Sequence, residues 1–222
     1  MFDRVAPRYD RLNRVLSAGR DIEWRRRGIA LARLSAHQVA LDVGTGTGDL
    51  AFGLLSASDA SARVIAADIS PAMLQALRRR ADASGERRVT SVLATSERLP
   101  LADGSLDRVI AGFAVRNFGD LGAGLREMRR VLRVGGRAVI LELSTPPNPV
   151  IGGLYHLYFH RISPIVATLL GGDPAAYRYL PRSVASFPDA DGLARHMRDA
   201  GFARVRYERL SFGIAAIHVG EA

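Results

Sequence analysis

From Val39 onward, short apolar runs alternate with stretches in which apolar residues recur at helical spacing. Val39-Ala40-Leu41-Asp42-Val43 is an apolar run that ends in glycines, and it predicts a buried strand. Asp49 to Ala57 has helical spacing, and Arg63 to Asp68 predicts a second strand. Ser70-Pro71 has the form of an N-cap followed by proline at the first helical position, opening a helix to Ala83. Arg88 to Ala94 and Leu106 to Phe113 predict a third and a fourth strand. Leu121 to Leu132 predicts a helix closed by Gly135-Gly136, and Arg137 to Leu143 a fifth strand. Buried strands separated by helices imply a mostly parallel sheet covered on both faces. Ligands in such folds lie beyond the carboxyl ends of the strands, near the point where strand order reverses.

Outside that alternation, Ile22 to Leu34 predicts an N-terminal helix and Asp191 to Ala200 a late one. Ala203 to Leu210 and Ile214 to Val219 meet at Phe212-Gly213, which predicts an antiparallel hairpin closing the sheet edge. Residues 146–188 mix aromatic and apolar side chains with several prolines. No linker marks a second domain. The expectation is one domain over residues 1–222: a helical cover (1–35), a binding core (36–145), an insertion (146–188), and a terminal helix and hairpin (189–222).

Composition narrows the chemistry. Cysteine is absent, which excludes disulfides, thiolate metal sites and a thiol nucleophile. The net charge is +9, and all 31 basic residues counted as Lys or Arg are arginine. Such a charge suits nucleic acid or an anionic membrane surface. The arginines are spread along the chain, however, and the tight runs Arg25-Arg26-Arg27 and Arg78-Arg79-Arg80 fall in helical segments, so most are read as solvated helix faces. Binding to nucleic acid is not expected, and no recognition motif supports it. No stretch reaches the roughly 18 apolar residues of a membrane span, and Met1 to Asp10 has no apolar signal core. A cytoplasmic protein is expected, compatible with peripheral contact at the inner membrane face. Carboxylates do not cluster in a metal-binding pattern, so no metal is expected.

The strongest local signal is Asp42-Val43-Gly44-Thr45-Gly46-Thr47-Gly48-Asp49, at the first strand-to-helix turn. The G-x-G-x-G spacing departs from the dinucleotide fingerprint G-x-G-x-x-G. A carboxylate at Asp42 would repel a pyrophosphate but suits the ammonium of an amino acid. That favours S-adenosylmethionine as the cofactor, with Gly44, Gly46, Thr47 and Gly48 forming the turn. Asp68, ending the second strand, is placed to accept hydrogen bonds from ribose hydroxyls; Ser70 already supplies the helix cap. Thr95 and Ser96, after the third strand, are candidates for the adenine edge. Met73 suits either the adenine or the core, and at helical spacing the core is the commoner outcome.

With these positions in view, the chain resembles the class I S-adenosylmethionine methyltransferases, and within them the ubiquinone/menaquinone biosynthesis C-methyltransferase family. The resemblance runs from Phe2-Asp3-Arg4-Val5-Ala6-Pro7-Arg8-Tyr9-Asp10 through Asp68-Ile69-Ser70-Pro71 and Glu97-Arg98-Leu99-Pro100. Its more diagnostic pieces are Phe113-Ala114-Val115-Arg116-Asn117 and Tyr177-Arg178-Tyr179-Leu180-Pro181. It implies a Rossmann-like α/β fold with a mostly parallel seven-stranded sheet, helices on both faces and a C-terminal antiparallel hairpin. It also implies C-methylation of a prenylated quinol from the membrane, demethylmenaquinol or a benzoquinol precursor of ubiquinone. The short N-terminus leans toward the naphthoquinol. A homo-oligomer is compatible with the family. The chain departs from the family pattern at Thr95-Ser96, which replace an acidic or amide residue and alanine, at Ala114, where glycine is usual, at Thr145, where lysine is usual, and at Gly112, where a serine often meets the cofactor.

The absences also speak to mechanism. With no thiol, and without the acidic-proline-proline-aromatic tetrad of amino-group methylation, the acceptor carbon must be intrinsically nucleophilic, as a hydroquinone ring is. Arg116 and Asn117 are the expected catalytic residues. Arginine is not a base at neutral pH, so Arg116 is expected to favour the phenolate electrostatically or to hold a water that takes the proton. The competing reading pairs Arg116 with a carboxylate such as Glu142. Tyr177, Tyr179 and His160 are lesser candidates for proton handling, within a segment expected to cover the substrate. Rival functions are phenol O-methylation, methylation of a sterol-like carbon, a basic nucleic-acid-binding protein and a silent cofactor-binding subunit.

Overall fold

The computed structural model describes Arg14, Ser17, residues 19–157 apart from the His156 side chain, and residues 183–222. His160, Tyr177, Tyr179 and most of the expected substrate cover lie outside the described residues.

The described chain runs α1 (Arg20–Ala32), β1 (Val39–Val43), α2 (Asp49–Ala57), β2 (Arg63–Asp68), α3 (Pro71–Ser84), β3 (Val89–Leu93), β4 (Leu106–Gly112), α4 (Leu121–Val131), β5 (Leu132–Leu143), α5 (Pro149–Leu157), α6 (Ala190–Asp199), β6 (Ala203–Leu210) and β7 (Ala215–Glu221). The seven strands form one sheet in the order β3-β2-β1-β4-β5-β7-β6. The pairs among β1 to β5 are parallel, and β7 is antiparallel to both β5 and β6. The hairpin therefore does close the sheet edge, with β7 inserted and β6 outermost. Strand order reverses between β2-β1 and β4, so the crevice for a ligand opens beyond the carboxyl ends of β1 and β4.

Two apolar clusters account for the layers. Leu41, Val43, Val109, Ala111 and Ile140 face one way and pack with Leu125 and Met128 of α4 and Leu193 and Met197 of α6. The alternate positions Ala40, Ile110, Val139 and Leu141 pack with Trp24 of α1 and Leu50 and Leu54 of α2. Period-two alternation in strands buried on both faces leaves no polar side, which is why these segments read as continuous apolar runs.

Two local expectations meet different outcomes. Ser70 caps α3, its Oγ accepting from the Met73 backbone N–H at 3.2 Å, with Pro71 at the first helical position. Gly135-Gly136 do not close α4. The chain turns directly from Val131 into β5, and the glycines lie inside that twelve-residue strand. Leu132 pairs with Leu106, and regular pairing resumes only at Arg108 with Arg137. Gly135, at φ 75°, takes up the irregularity.

Candidate cofactor and active site

The carboxyl ends of β1 to β4 enclose a cavity of about 540 Å³, within the range of small-molecule sites. Gly44, Gly46 and Thr47 wall it at β1, Asp68 and Ile69 at β2, and Thr95 and Ser96 after β3. Asn117 faces it from the short 3-10 turn Val115–Asn117 after β4. These sequence-predicted residues come together because parallel strands bring all their carboxyl ends to one edge.

The glycine turn is dictated by close approach. Gly44 has φ 66°, and a Cβ there would stand 2.5 Å from the Cβ of Ala114. Gly48, at φ 92°, is the N-cap of α2 and does not itself line the cavity. Only glycine enters these left-handed conformations cheaply.

Asp42 is placed differently from expectation. Its side chain is buried beneath the turn and is not part of the cavity wall. One oxygen, Oδ2, accepts from Thr45 Oγ1 at 2.7 Å and from the Ala51 backbone N–H at 3.1 Å. The other, Oδ1, is buried without a hydrogen bond. Burial pushes the carboxyl up to about 7, against the opposing pull of Thr45, Arg25 and Ala51. Asp42 thus braces the turn from below.

Asp68 does reach the cavity. Its Oδ2 accepts from the Gly46 N–H and its Oδ1 from the Ser70 N–H, each at 2.8 Å. Each carboxylate oxygen has more than one lone pair, so the same group can also accept from vicinal hydroxyls. Beside it, Ile69 presents an apolar side chain that is 64% exposed and lines the cavity, a flat contact for an aromatic base. Met73 is buried and forms part of the wall, so it serves both core and site.

A polar scaffold shapes the far wall. Glu97 accepts from the backbone N–H groups of Gly119 at 2.7 Å and Asp120 at 3.2 Å, joining the loops after β3 and β4. Arg130 of α4 donates to the carbonyls of Leu99 and Leu101, and Glu127 accepts from the Leu99 N–H. The loop around Leu99 is thereby held by α4.

Arg116 lies one residue before Asn117, yet its guanidinium is not part of the cavity wall. It is ion-paired with Glu142 at the end of β5, Nη1 to Oε1 at 2.5 Å, with side-chain exposures of 7% and 1%. The same nitrogen donates to the carbonyl of Phe113 at 2.7 Å. This is the pairing that sequence reasoning set beside the catalytic role. Phe113 holds φ 58°, an uncommon value for a non-glycine residue, and the two hydrogen bonds from Arg116 and Asn117 to its carbonyl brace that conformation. The phenol of Tyr155 on α5 is near the Arg116–Glu142 pair, and burial pushes it above its ordinary range.

A family model described as the ubiE/COQ5 methyltransferase family matches residues 1–222. The chain belongs to this family. Among its relatives are the demethylmenaquinone methyltransferases of Thermus thermophilus, 48% identical over 100% of this chain and 99% of that one, and of Deinococcus radiodurans, 43% identical over 100% and 90%. A ubiquinone/menaquinone biosynthesis C-methyltransferase UbiE from Geotalea uraniireducens is 40% identical over 100% and 94%. Solved structures give the fold alone. A SAM-dependent methyltransferase from Aquifex aeolicus has a TM-score of 0.65 at 18% identity, covering 89% of this chain and 88% of that one. Another from Thermotoga maritima has 0.70 at 19%, covering 99% and 97%. The fold is thus the Rossmann-like fold of S-adenosylmethionine-dependent methyltransferases, and the chain is a methyltransferase.

Sequence reasoning missed Arg25, Ile69 and Glu97 as cavity residues. Ile69 and Glu97 stood inside recognised motifs without being assigned a role. Arg25 stood inside an arginine run read as a solvated face; its signal was Asp21 four residues earlier, on the face that carries Trp24. Among the described residues, no group of three or more His, Asp or Glu is arranged to hold a metal ion, and no helix is long and apolar enough to cross a membrane.

Proposed function

We propose that this methyltransferase uses S-adenosylmethionine to methylate a ring carbon of demethylmenaquinol, yielding menaquinol. The observation that carries this reading is full-length identity of 48% to a demethylmenaquinone methyltransferase. The cavity fits the cofactor: a carboxylate at the end of β2 for the ribose, an apolar side chain beside it for the base, and a glycine turn that lets the backbone approach.

S-adenosylmethionine supplies a methyl group already activated on a sulfonium. The chain's own part is to bind, orient and bias a proton, since alignment accounts for much of the rate of such a displacement. Asp68 accepts from the ribose hydroxyls, and the backbone around Thr95 and Ser96 meets the adenine edge. Asn117 orients a phenolic oxygen of the substrate. Arg116, one residue back, biases that oxygen toward phenolate, with its own charge tempered by Glu142. With the cofactor bound, the ring carbon would take the methyl group as its bond to sulfur breaks, leaving the electron pair on the departing thioether, and the ring proton would pass to water, restoring aromaticity. The prenyl tail is met from the membrane by the 146–188 segment, with peripheral contact at the cytoplasmic face.

The test is methyl transfer from labelled cofactor to reduced demethylmenaquinone, with a reduced demethylated ubiquinone precursor in parallel and products identified by mass and NMR. C-methylation of the naphthoquinol, lowered about 10- to 100-fold in Asn117→Ala, is the expected outcome. Methylation of the benzoquinol alone moves the substrate to the ubiquinone branch. Cofactor binding with neither quinol methylated sinks the quinone reading.

A further inference from the structure

Among the described residues that line the cavity, Arg25 is the one arginine, and its surroundings are specific. It lies on α1, which packs against β4, β5 and α2 and is pinned by Trp24, its Nε1 donating to Ser211 Oγ at 3.1 Å. Its side chain is 14% exposed and lines the cavity. The guanidinium lies over the Phe113 ring, 5.2 Å from its centroid. A Cβ at Gly112 would stand 2.5 Å from Leu50 Cδ1 and 3.8 Å from Nη1, so glycine at 112 is what lets Leu50 pack close against β4 beside the cation.

Its neighbours hold the guanidinium without consuming it. Nε is 3.7 Å from Asp21 Oδ2 and 3.9 Å from Asp49 Oδ2, beyond hydrogen-bond length. Nε is buried with no hydrogen-bond partner. Among the described residues, Arg25 is within ion-pair reach of two carboxylates yet donates no hydrogen bond. A buried donor left in this way is costly unless a ligand completes it.

We propose that Arg25 binds the α-carboxylate of the amino-acid end of S-adenosylmethionine. The inference rests on the cofactor reading above. Asp68, Ile69 and Thr95 place the nucleoside at the β2 and β3 side, so the amino-acid end falls at the β1 and β4 side, where Arg25 stands. A guanidinium set among carboxylates complements a zwitterion, which brings both an anion for the arginine and an ammonium for the acids. The planar fork of arginine matches a carboxylate with two parallel hydrogen bonds. In this chain, with glycine at 112, Arg25 supplies from α1 a polar contact that strand β4 does not.

The test compares S-adenosylmethionine with decarboxylated S-adenosylmethionine, which lacks only that carboxylate, by titration calorimetry on the full chain. The wild type is expected to prefer the complete cofactor by about 10- to 100-fold, the worth of hydrogen bonds to a charged group. Arg25→Met should abolish that preference while binding the decarboxylated form about as well as the wild type does. Arg25→Lys, with charge but no fork, should keep part of it, and it carries the same test if the methionine variant does not fold. Equal loss for both ligands in Arg25→Met means a structural ion pair and overturns the inference. An unchanged ratio in Arg25→Met also overturns it and leaves the cofactor reading intact. A wild type that binds neither ligand refutes the cofactor reading itself.

Discussion

Arg116→Met tests how the active-site turn is held. The substitution removes the partner of Glu142, which is 1% exposed at the end of β5. Breaking a buried pair on one side costs about 3–5 kcal/mol, because the remaining charge has lost both water and its counter-ion. Glu142 still accepts from its neighbour Leu143 N–H at 2.9 Å and from the Arg116 backbone N–H at 3.3 Å, which places the cost toward the lower end. The carbonyl of Phe113 also loses a donor while its φ stays positive. Melting entropies of roughly 2 cal/mol/K per residue convert this to a fall in Tm of about 6–10 °C for a chain of 222 residues. The double variant Arg116→Met/Glu142→Leu removes both charges, and apolar replacements of buried pairs are often neutral or better, so it should recover most of the loss. Thermal melts followed by circular dichroism measure both. The reasoning fails if Arg116→Met melts within about 2 °C of the wild type, or if the double variant is no more stable than the single one. The double variant also separates folding from chemistry. If it folds and binds cofactor but transfers methyl groups poorly, Arg116 acts on the substrate as well as on the turn.

Two further outcomes follow from the glycine turn and the carboxylate beneath it. The Asp42 carboxyl is held at about 7 in the folded chain by burial, against about 4 unfolded, so its contribution is full below about pH 4 and is lost as pH rises through about 7. Relative to the wild type, Asp42→Asn should therefore gain stability between about pH 4 and pH 7 in urea unfolding; a difference that does not change with pH refutes this. Gly44→Ala forces a Cβ to within 2.5 Å of Ala114 Cβ and strains a φ of 66°. It should weaken cofactor binding at least about tenfold and cost about 1–3 kcal/mol of stability, and adding Ala114→Gly should restore only the part due to the clash. Complete rescue, measured by calorimetry and melting, would mean that the left-handed backbone costs nothing.

Local signals carried the elements because their causes are local. The strands Val39–Val43, Arg63–Asp68 and Ala203–Leu210 coincide with their apolar or alternating runs, and α2 and the Ser70-Pro71 cap are written in adjacent residues. The glycine turn, Asp68 and the Thr95-Ser96 loop were legible as a site because a parallel sheet brings strand ends together whatever the details of packing. The glycine turn from Gly44 to Gly48 marked where a ligand binds, and the motifs shared with the family, not the turn alone, carried the class of chemistry.

Tertiary structure decided which side chains face the cavity. Asp42 precedes the glycines in sequence, but inward orientation at the end of β1 buries it beneath the turn. Gly135-Gly136 look like a helix stop, yet pairing between Leu132 and Leu106 extends β5 backward across them. Arg25 reads as one of three surface arginines until the packing of Trp24 turns it toward Phe113. Whether Arg116 meets a carboxylate depends on a strand that begins sixteen residues later and ends at Leu143. Pattern specifies which face of an element is apolar; the orientation of a single polar group is set by partners distant in sequence, and no local rule encodes it.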